Sequence, residues 1–217
     1  MKVLVLIIAT DGHPYTMFEH FWRQYMNIDP TFECYFIKGD PSINKNYIED
    51  QIIYIKCEEK FENIYYKTIE AFKMFDIQSY DYIFRTNLSS FIVFDKYKNW
   101  LETLPKVNVY NGSIRWYTRY PYASGCGFTC TPDVIHIFMN SNQENYCIDD
   151  VTFGKICLEN NIKVSTAPLN EIYIDTMEDE MKKFDAYECA FHYRLKSINR
   201  SNDLSIYLKL INIYYNI

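Results

Sequence analysis

Two neighbouring carboxylates, Asp149 and Asp150, stand where a helix running to Glu159 is predicted to begin. The positive end of a helix dipole favours carboxylates in its first turn. Adjacent helical residues do not face the same way, so we expect one carboxylate to cap the helix and the other to point into a cleft. A carboxylate in a cleft can accept a proton as a general base. Capping without any chemistry is the alternative.

Positive charge is predicted on one face of a strand within residues 191–196. Side chains alternate between the two faces of a strand, which places His192, Arg194 and Lys196 on the same side. Three cations in a row would pair well with a diphosphate. A charged strand face turned towards solvent is the alternative.

A nucleotide-binding loop is expected after the apolar run at residues 3–9. In open α/β sheets, ligands bind beyond the carboxyl ends of the strands. Ala9 and Thr10 are small enough to let a nucleotide approach the backbone, and Asp11 could accept a hydrogen bond from its base or ribose. A turn in which Asp11 is only a cap is the alternative. No glycine-rich phosphate loop follows, which argues against dinucleotide enzymes and P-loop NTPases.

Two further stretches combine polar or aromatic residues with predicted strand ends. The strand at 81–86 ends in polar residues suited to a diphosphate or a metal ion, namely Arg85, Thr86, Asn87 and Ser89. The stretch 111–127 is expected to be irregular because it is too polar for a core. It carries rings that could stack on sugars, at Trp116, Tyr117, Tyr120 and Tyr122. Near its end, Ser124 and Gly125 would let a sugar approach the backbone closely. The alternative for the aromatic rings is a dimer contact, and the alternative for Ser124 and Gly125 is a tight loop.

The elements that position these residues alternate between strands and helices over the first half of the chain. Strands are predicted at 3–9, 32–37, 52–55, 81–86, 91–94 and 107–110. One helix is predicted to begin at Pro14, a second to span 60–75, and a third to run from its cap at Asp95 to residue 101. This order is typical of an α/β fold with a mostly parallel central sheet flanked by helices. Further on, Thr131 is predicted to cap a helix and another spans 201–214, with short strands at 163–165, 171–174 and 189–196. We expect one domain, 1–217, with a nucleotide-binding half (1–110) and a mixed, acceptor-binding half (111–217).

The composition restricts the class of protein. The 217 residues are 48% hydrophobic, which is ordinary for a globular chain and argues against disorder. The net charge is −6 without a Lys/Arg stripe, so nucleic acid is not an expected partner. No apolar run is long enough for a membrane span and no signal peptide is recognised. Seven cysteines without metal-ligand spacing predict reduced thiols and a cytoplasmic protein.

These stretches, in this order, resemble the fringe and β-1,3-galactosyltransferase group of GT-A-type nucleotide-sugar glycosyltransferases. Residues 122–128 are similar to the group's Tyr-Ala-Ser-Gly-x-Gly-Tyr, and residues 149–151 are similar to its downstream Glu-Asp-Val. Residues 153–158 are similar to its Val-Gly-x-Cys-Leu, and residues 85–91 correspond to its Lys-Thr-Asp-Asp-Asp-Val-Phe. The resemblance implies a single GT-A-like, Rossmann-like domain.

The resemblance also implies an activity. A sugar would move from a nucleotide-diphospho-sugar, such as a UDP-sugar, to a glycan or another hydroxyl acceptor, with Asp150 as the base and with inversion of configuration. The donor would bind to Ala9, Thr10, Asp11, Arg85, Thr86, Asn87, Ser89, His192, Arg194 and Lys196. The acceptor would bind to Trp116, Tyr117, Tyr122, Ser124, Gly125 and Asp149.

One motif departs from the group's pattern. Its DxD carboxylates bind a divalent metal, and the same positions here are Asn87, Leu88 and Ser89. Neutral oxygens bind Mn²⁺ or Mg²⁺ far more weakly than carboxylates do, so metal dependence is not expected. A weak metal site at Asn87, Ser89 and His192 is the alternative. A catalytically silent glycan- or partner-binding module is the second functional hypothesis, and the missing phosphate loop argues against a sugar-phosphate nucleotidyltransferase.

Overall fold

A computed structural model describes residues 1–141, 148–172 and 190–217 of the chain. The described residues form two compact units whose segments alternate along the sequence. Unit 1 comprises Met1–Thr10, Pro30–Asn87 and Pro105–Ala167, and unit 2 comprises Asp11–Asp29, Leu88–Leu104 and Pro168–Ile217. Each unit draws on both sides of residue 110, and the functional division of the chain at that residue stays a prediction.

The described residues include eleven strands and six α-helices. The strands are β1 (Val3–Ile8), β2 (Phe32–Gly39), β3 (Tyr47–Glu49), β4 (Ile52–Ile55), β5 (Tyr82–Asn87), β6 (Ser90–Ile92), β7 (Tyr110–Tyr117), β8 (Tyr120–Cys130), β9 (Val164–Thr166), β10 (Leu169–Ile172) and β11 (His192–Leu195). The helices are α1 (Tyr15–Tyr25), α2 (Ile64–Lys73), α3 (Phe94–Leu101), α4 (Pro132–Asn140), α5 (Asp149–Glu159) and α6 (Asn202–Tyr215).

Unit 1 is built on an eight-stranded sheet in the order β3-β4-β2-β1-β5-β8-β7-β9. The neighbours β4, β2, β1 and β5 are parallel, as are β7 and β9. The pairs β3–β4, β5–β8 and β7–β8 are antiparallel. The α/β class is therefore confirmed, and the sheet is mixed, with four parallel and three antiparallel pairs of neighbouring strands.

Two of the three antiparallel pairs involve the stretch that is expected from the sequence to be irregular. Residues 110–130 form the hairpin of β7 and β8, in which Tyr117 pairs with Tyr120 across a two-residue turn. Aromatic side chains favour the pleated surface of a sheet, and the turn residue Thr118 has a φ of 51°. The polarity of this stretch was misleading, because alternate side chains of a hairpin can face solvent.

The core of unit 1 lies where three helices pack on one face of the sheet. Leu4 and Leu6 of β1 are buried with Phe72 of α2, Phe138 of α4 and Phe153 of α5. The rings of Phe138 and Phe153 are 4.7 Å apart. The Phe153 ring is also 5.3 Å from the ring of Phe128 in β8. Fully burying each large apolar side chain contributes about 1.5–3 kcal/mol, so this second contact fixes α5 against the strand that carries Gly125.

Unit 2 contains a three-stranded sheet, β10-β11-β6, and the helices α1, α3 and α6. The buried face of α1 is aromatic and consists of Phe18, Phe21, Trp22 and Tyr25. The Tyr25 and Tyr207 hydroxyls are 2.8 Å apart, and the Tyr207 hydroxyl donates to the Ser90 carbonyl at 2.9 Å. This aromatic core ties α1 and α6 to β6.

Several predicted boundaries and caps differ from the structure. The helix predicted at 60–75 begins with a 3₁₀ turn (Phe61–Asn63) before α2. Val93, not Asp95, is at the N-cap position of α3. Thr131 is at the N-cap of α4 but makes no capping bond, because its hydroxyl accepts from the Val109 N–H at 3.0 Å. The predicted strand at 171–174 extends past Ile172, beyond the described residues.

The described residues include five of the seven cysteines. Five cysteines are free thiols: Cys34, Cys57, Cys126, Cys130 and Cys157. Cys147 and Cys189 lie outside the described residues. Among the described helices, none combines the length and apolar character that crossing a bilayer requires.

Candidate functional site

The carboxyl ends of β1 and β5 bring several predicted donor-binding residues of unit 1 to one edge of the sheet. The two strands are parallel, and Ile8 lies opposite Asn87 in their register. Ala9 and Thr10 therefore follow β1 at the edge where β5 ends. Thr86 is buried there, and its hydroxyl donates to the Cys126 carbonyl at 2.8 Å.

A cluster of polar groups surrounds the Gly125 peptide at this edge. The Gly125 carbonyl accepts hydrogen bonds from Arg85 Nη1 at 2.6 Å and from Asn87 Nδ2 at 3.1 Å. The Gly125 N–H donates to Asp150 Oδ2 at 2.7 Å. We call these residues the Gly125 cluster: Arg85, Asn87, Gly125, Asp149 and Asp150. The structure thus brings together two predicted donor residues, two predicted acceptor residues and the predicted base.

The close contact of α5 with β8 positions Asp150. One helical turn beyond Asp150, Gly154 lies against β8, and a Cβ at Gly154 would be 2.3 Å from the Tyr122 Cβ. Residues four apart share a helix face, so Gly154 allows the approach that carries Asp150 to Gly125. Gly125 is equally confined, since a Cβ there would be 3.2 Å from both Arg85 Nη1 and Asp150 Oδ2.

Arg85 and Asp149 form a buried ion pair within the cluster. Only 2% of Arg85 and 7% of Asp149 is exposed. Arg85 Nε is also buried, and within the part of the chain that the structure describes it has no hydrogen-bond partner. A buried charge needs a counterion, so Asp149 neutralises Arg85, and Arg85 in turn holds the Gly125 carbonyl. The roles predicted for them, at the donor for Arg85 and at the acceptor for Asp149, stay predictions.

Asp150 is a buried carboxylate with an elevated proton affinity. Burial raises the pKa of the Asp150 carboxyl and the Asp149 carboxylate raises it further, whereas the Gly125 N–H, the Arg85 guanidinium and the Val151 N–H lower it. Asp150 Oδ1 accepts the Val151 N–H at 2.9 Å. A carboxylate has about four lone-pair sites, and these two bonds leave acceptor capacity. Neither Asp149 nor Asp150 is the N-cap of α5, because Ile148 takes that position.

The remaining predicted acceptor residues lie along the β7–β8 hairpin. Trp116 is 69% exposed, which leaves its ring accessible for stacking on a sugar. The Tyr117 ring is half-buried, 5.9 Å from the ring of Tyr120. Tyr122 and Ser124 are half-buried, with Tyr122 against α5 as described above. Acceptor binding by these residues stays a prediction.

The other predicted donor residues belong to unit 2. Asp11 and Lys196 are exposed, and Arg194 is half-buried, with Nη1 donating to the Ser89 hydroxyl. Burial and the Arg194 charge lower the pKa of His192 to about 3, and its Nε2 lies 2.9 Å from the Ser90 hydroxyl. The expectation that His192 adds a positive charge is therefore wrong, since a buried imidazole with this pKa is neutral at pH 7.

The residues at the predicted metal positions include no carboxylate, and a weak metal site at Asn87, Ser89 and His192 stays a prediction. The Asn87 amide is bound to the Gly125 carbonyl, and the Leu88 side chain is buried and apolar. The Ser89 hydroxyl accepts a hydrogen bond from the positively charged Arg194, and this disfavours a second cation at that oxygen. Within residues 1–141, 148–172 and 190–217, no group of three His, Cys, Asp or Glu side chains could hold a metal ion.

Sequence reasoning missed a second ion pair in unit 1, between the buried Lys67 and the exposed Glu59. Lys67 is wholly buried, and its Nζ also donates to the Ala9 carbonyl at 3.2 Å. A signal was present, because Lys67 lies three residues after Ile64 and four before Ala71, among apolar residues of the helix predicted at 60–75. A lysine among apolar residues at helical spacing indicates a charged partner.

No protein-family model and no curated protein matches this sequence.

Proposed function

We propose that the chain is a glycosyltransferase that moves a sugar from a nucleotide-diphospho-sugar to a hydroxyl acceptor. The observation that carries the proposal is Asp150, 8% exposed, with a raised pKa and held by the Gly125 N–H at the carboxyl edge of the sheet. Groups with perturbed pKa values at such an edge are typical of active sites. The resemblance of residues 85–91, 122–128 and 149–158 to the fringe group supports the same activity.

In the proposed reaction, the acceptor oxygen attacks the anomeric carbon as the bond from that carbon to the diphosphate breaks. Asp150 takes the proton of the acceptor hydroxyl, and the nucleoside diphosphate leaves with the bonding electron pair. Attack opposite the leaving group inverts the configuration. A carboxylate with a raised pKa is a better proton acceptor than one in water, which helps a weak nucleophile such as a hydroxyl.

The Gly125 cluster has the preorganisation that such a base needs. Arg85 and Asn87 donate hydrogen bonds to the Gly125 carbonyl. The Gly125 N–H in turn donates to the Asp150 carboxylate and holds it in place. A base held in place by buried hydrogen bonds loses little entropy when it engages the acceptor. The GT-A-type fold and the UDP-sugar donor remain part of this proposal.

The test is nucleotide binding followed by turnover. Titration calorimetry with UDP, GDP, CMP and NAD should show binding of one nucleoside diphosphate, and the matching nucleotide-sugar should be hydrolysed or transferred in the presence of EDTA. If none of these compounds binds, the proposal is wrong. Activity that EDTA abolishes would contradict the metal independence inferred from Asn87, Leu88 and Ser89.

A silent binding module is the second candidate, because positions 87–89 carry no carboxylate. It predicts nucleotide or glycan binding without hydrolysis or transfer at any enzyme concentration. Turnover that is lost with Asp150→Asn and retained with Asp133→Asn would exclude it. Asp133 is the matched control because it is an exposed first-turn aspartate of α4, in the same unit.

A further inference from the structure

The Lys67–Glu59 ion pair joins the ends of two parallel strands in unit 1. Lys67 Nζ donates to the Ala9 carbonyl at 3.2 Å, just beyond β1. Glu59 Oε2 accepts the Gly39 N–H at 2.6 Å, at the last residue of β2. Ala9 is also tied to β2 directly, because its N–H donates to the Ile37 carbonyl at 3.0 Å. Backbone and side chains thus close a ring around the ends of β1 and β2.

Fold stability does not explain this arrangement. Lys67 is wholly buried in an otherwise apolar helix face, and removing its charge from water is costly. Glu59 is exposed, so water weakens the attraction between the two charges. Burial lowers the pKa of Lys67, while Glu59 raises it, so the charged lysine depends on its partner. The two residues instead hold backbone atoms at the edge where ligands of α/β sheets bind.

The ring fixes the starting points of two loops. Thr10 follows Ala9 directly. Asp40 follows Gly39, and the Asp40 N–H donates a hydrogen bond to the Ile55 carbonyl at 2.9 Å. Gly39 is packed tightly, since a Cβ there would be 3.0 Å from the Cys57 carbonyl oxygen. The separation of these loops is therefore set by hydrogen bonds to a charged pair, which are stronger than those between neutral groups.

We propose that Lys67 and Glu59 are positioning residues that preorganise the loops after β1 and β2 for the nucleoside of the donor. This inference rests on the proposed function. Neither residue needs to touch the nucleotide, because the pair acts through the Ala9 carbonyl and the Gly39 N–H. Preorganised loops lose less conformational entropy when a ligand binds. The ion pair is therefore expected to affect nucleotide affinity rather than the rate of the chemical step.

The test compares two double variants of α2 and its flank. Lys67→Met/Glu59→Gln removes the charges but keeps the volumes, and the glutamine can still accept the Gly39 N–H. Glu70→Gln/Lys73→Met is the control, because it removes an ion pair of the same helix in which Lys73 is exposed. The nucleotide tried is whichever of UDP and GDP the unaltered chain binds.

The first double variant should melt at or above the temperature of the unaltered chain and bind the nucleotide at least tenfold more weakly. Its donor KM should rise by the same factor with kcat within threefold, and hydrogen exchange should increase in residues 9–12 and 39–42. The control should change none of these quantities. Unchanged nucleotide affinity in the first variant overturns this inference alone. An unaltered chain that binds no nucleotide overturns the proposed function and the inference with it.

Discussion

Replacing Gly154 by alanine tests how closely α5 must approach β8. The added Cβ would stand 2.3 Å from the Tyr122 Cβ and 3.1 Å from its Cα, whereas packed carbon atoms are about 3.5–4.0 Å apart. The contact lies beside the strand backbone, so no flexible side chain can make room. Gly154→Ala therefore forces α5 away from β8 by about 1 Å or more.

That shift has a calculable effect on Asp150. The bond between Gly125 N and Asp150 Oδ2 is 2.7 Å long, and a shift of about 1 Å takes it beyond the hydrogen-bonding range of about 3.2 Å. Overpacking costs about 1–3 kcal/mol, and the better helix propensity of alanine offsets about 1 kcal/mol. The variant should lose about 0–2 kcal/mol of unfolding free energy, while misplacing the base lowers kcat by about 10²-fold.

Urea denaturation and initial rates of sugar transfer measure the two effects on one preparation. Leu158→Ala is the matched control, because Leu158 is on the same helix and 54% exposed, and it should leave rate and stability nearly unchanged. A Gly154→Ala protein as active as the unaltered chain would refute the argument that this contact positions Asp150.

Three other substitutions test separate parts of the account. Arg85→Met leaves Asp149 buried without its counterion and should cost about 3–5 kcal/mol of unfolding free energy in urea; Arg85→Met/Asp149→Asn should recover most of it, and no recovery would contradict the ion-pair argument. His192 has its pKa lowered to about 3, against about 6.5 when unfolded, so its contribution to stability is complete above pH 6.5. As pH falls from about 6.5 towards 3, that contribution declines by about 1.4 kcal/mol per pH unit. The melting temperature of the unaltered chain should therefore fall more steeply with decreasing pH than that of His192→Gln. Parallel curves of melting temperature against pH would argue against a neutral buried imidazole. Trp116→Ala, at an exposed position, should change unfolding free energy by less than about 0.5 kcal/mol and raise the acceptor KM without changing nucleotide affinity; an unchanged acceptor KM would remove Trp116 from the acceptor site.

Local signals in the sequence were sufficient for much of the α/β framework. The continuous apolar run at 3–9 is a strand buried between two parallel neighbours, and the aromatic spacing of α1 matches its buried face. Asp149 and Asp150 fall in the first turn of α5 as predicted. These features depend on residues close in the chain, where apolar periodicity and the preference of carboxylates for helix N-termini act directly.

The features that the sequence did not predict depend on distant partners. Arg85 and Asp149 are 64 residues apart, and no local pattern indicates that one neutralises the other. The polar residues of the β7–β8 hairpin indicate a loop unless their pairing to β5, a distant strand, is known. Gly125 was expected to leave space for a sugar, whereas Arg85 and Asp150 fill the space beside its Cα. Side-chain packing between distant segments decides each of these outcomes.

The central claim is that Asp150 removes the proton of the acceptor hydroxyl. Its most direct test is the single-turnover rate of sugar transfer by Asp150→Asn at pH 7.5, with nucleotide-sugar affinity measured in parallel. The amide keeps an oxygen for the Gly125 N–H but cannot accept a proton, so the rate should fall by about 10²–10⁴-fold with the affinity unchanged within twofold. Transfer at the rate of the unaltered chain would contradict the claim.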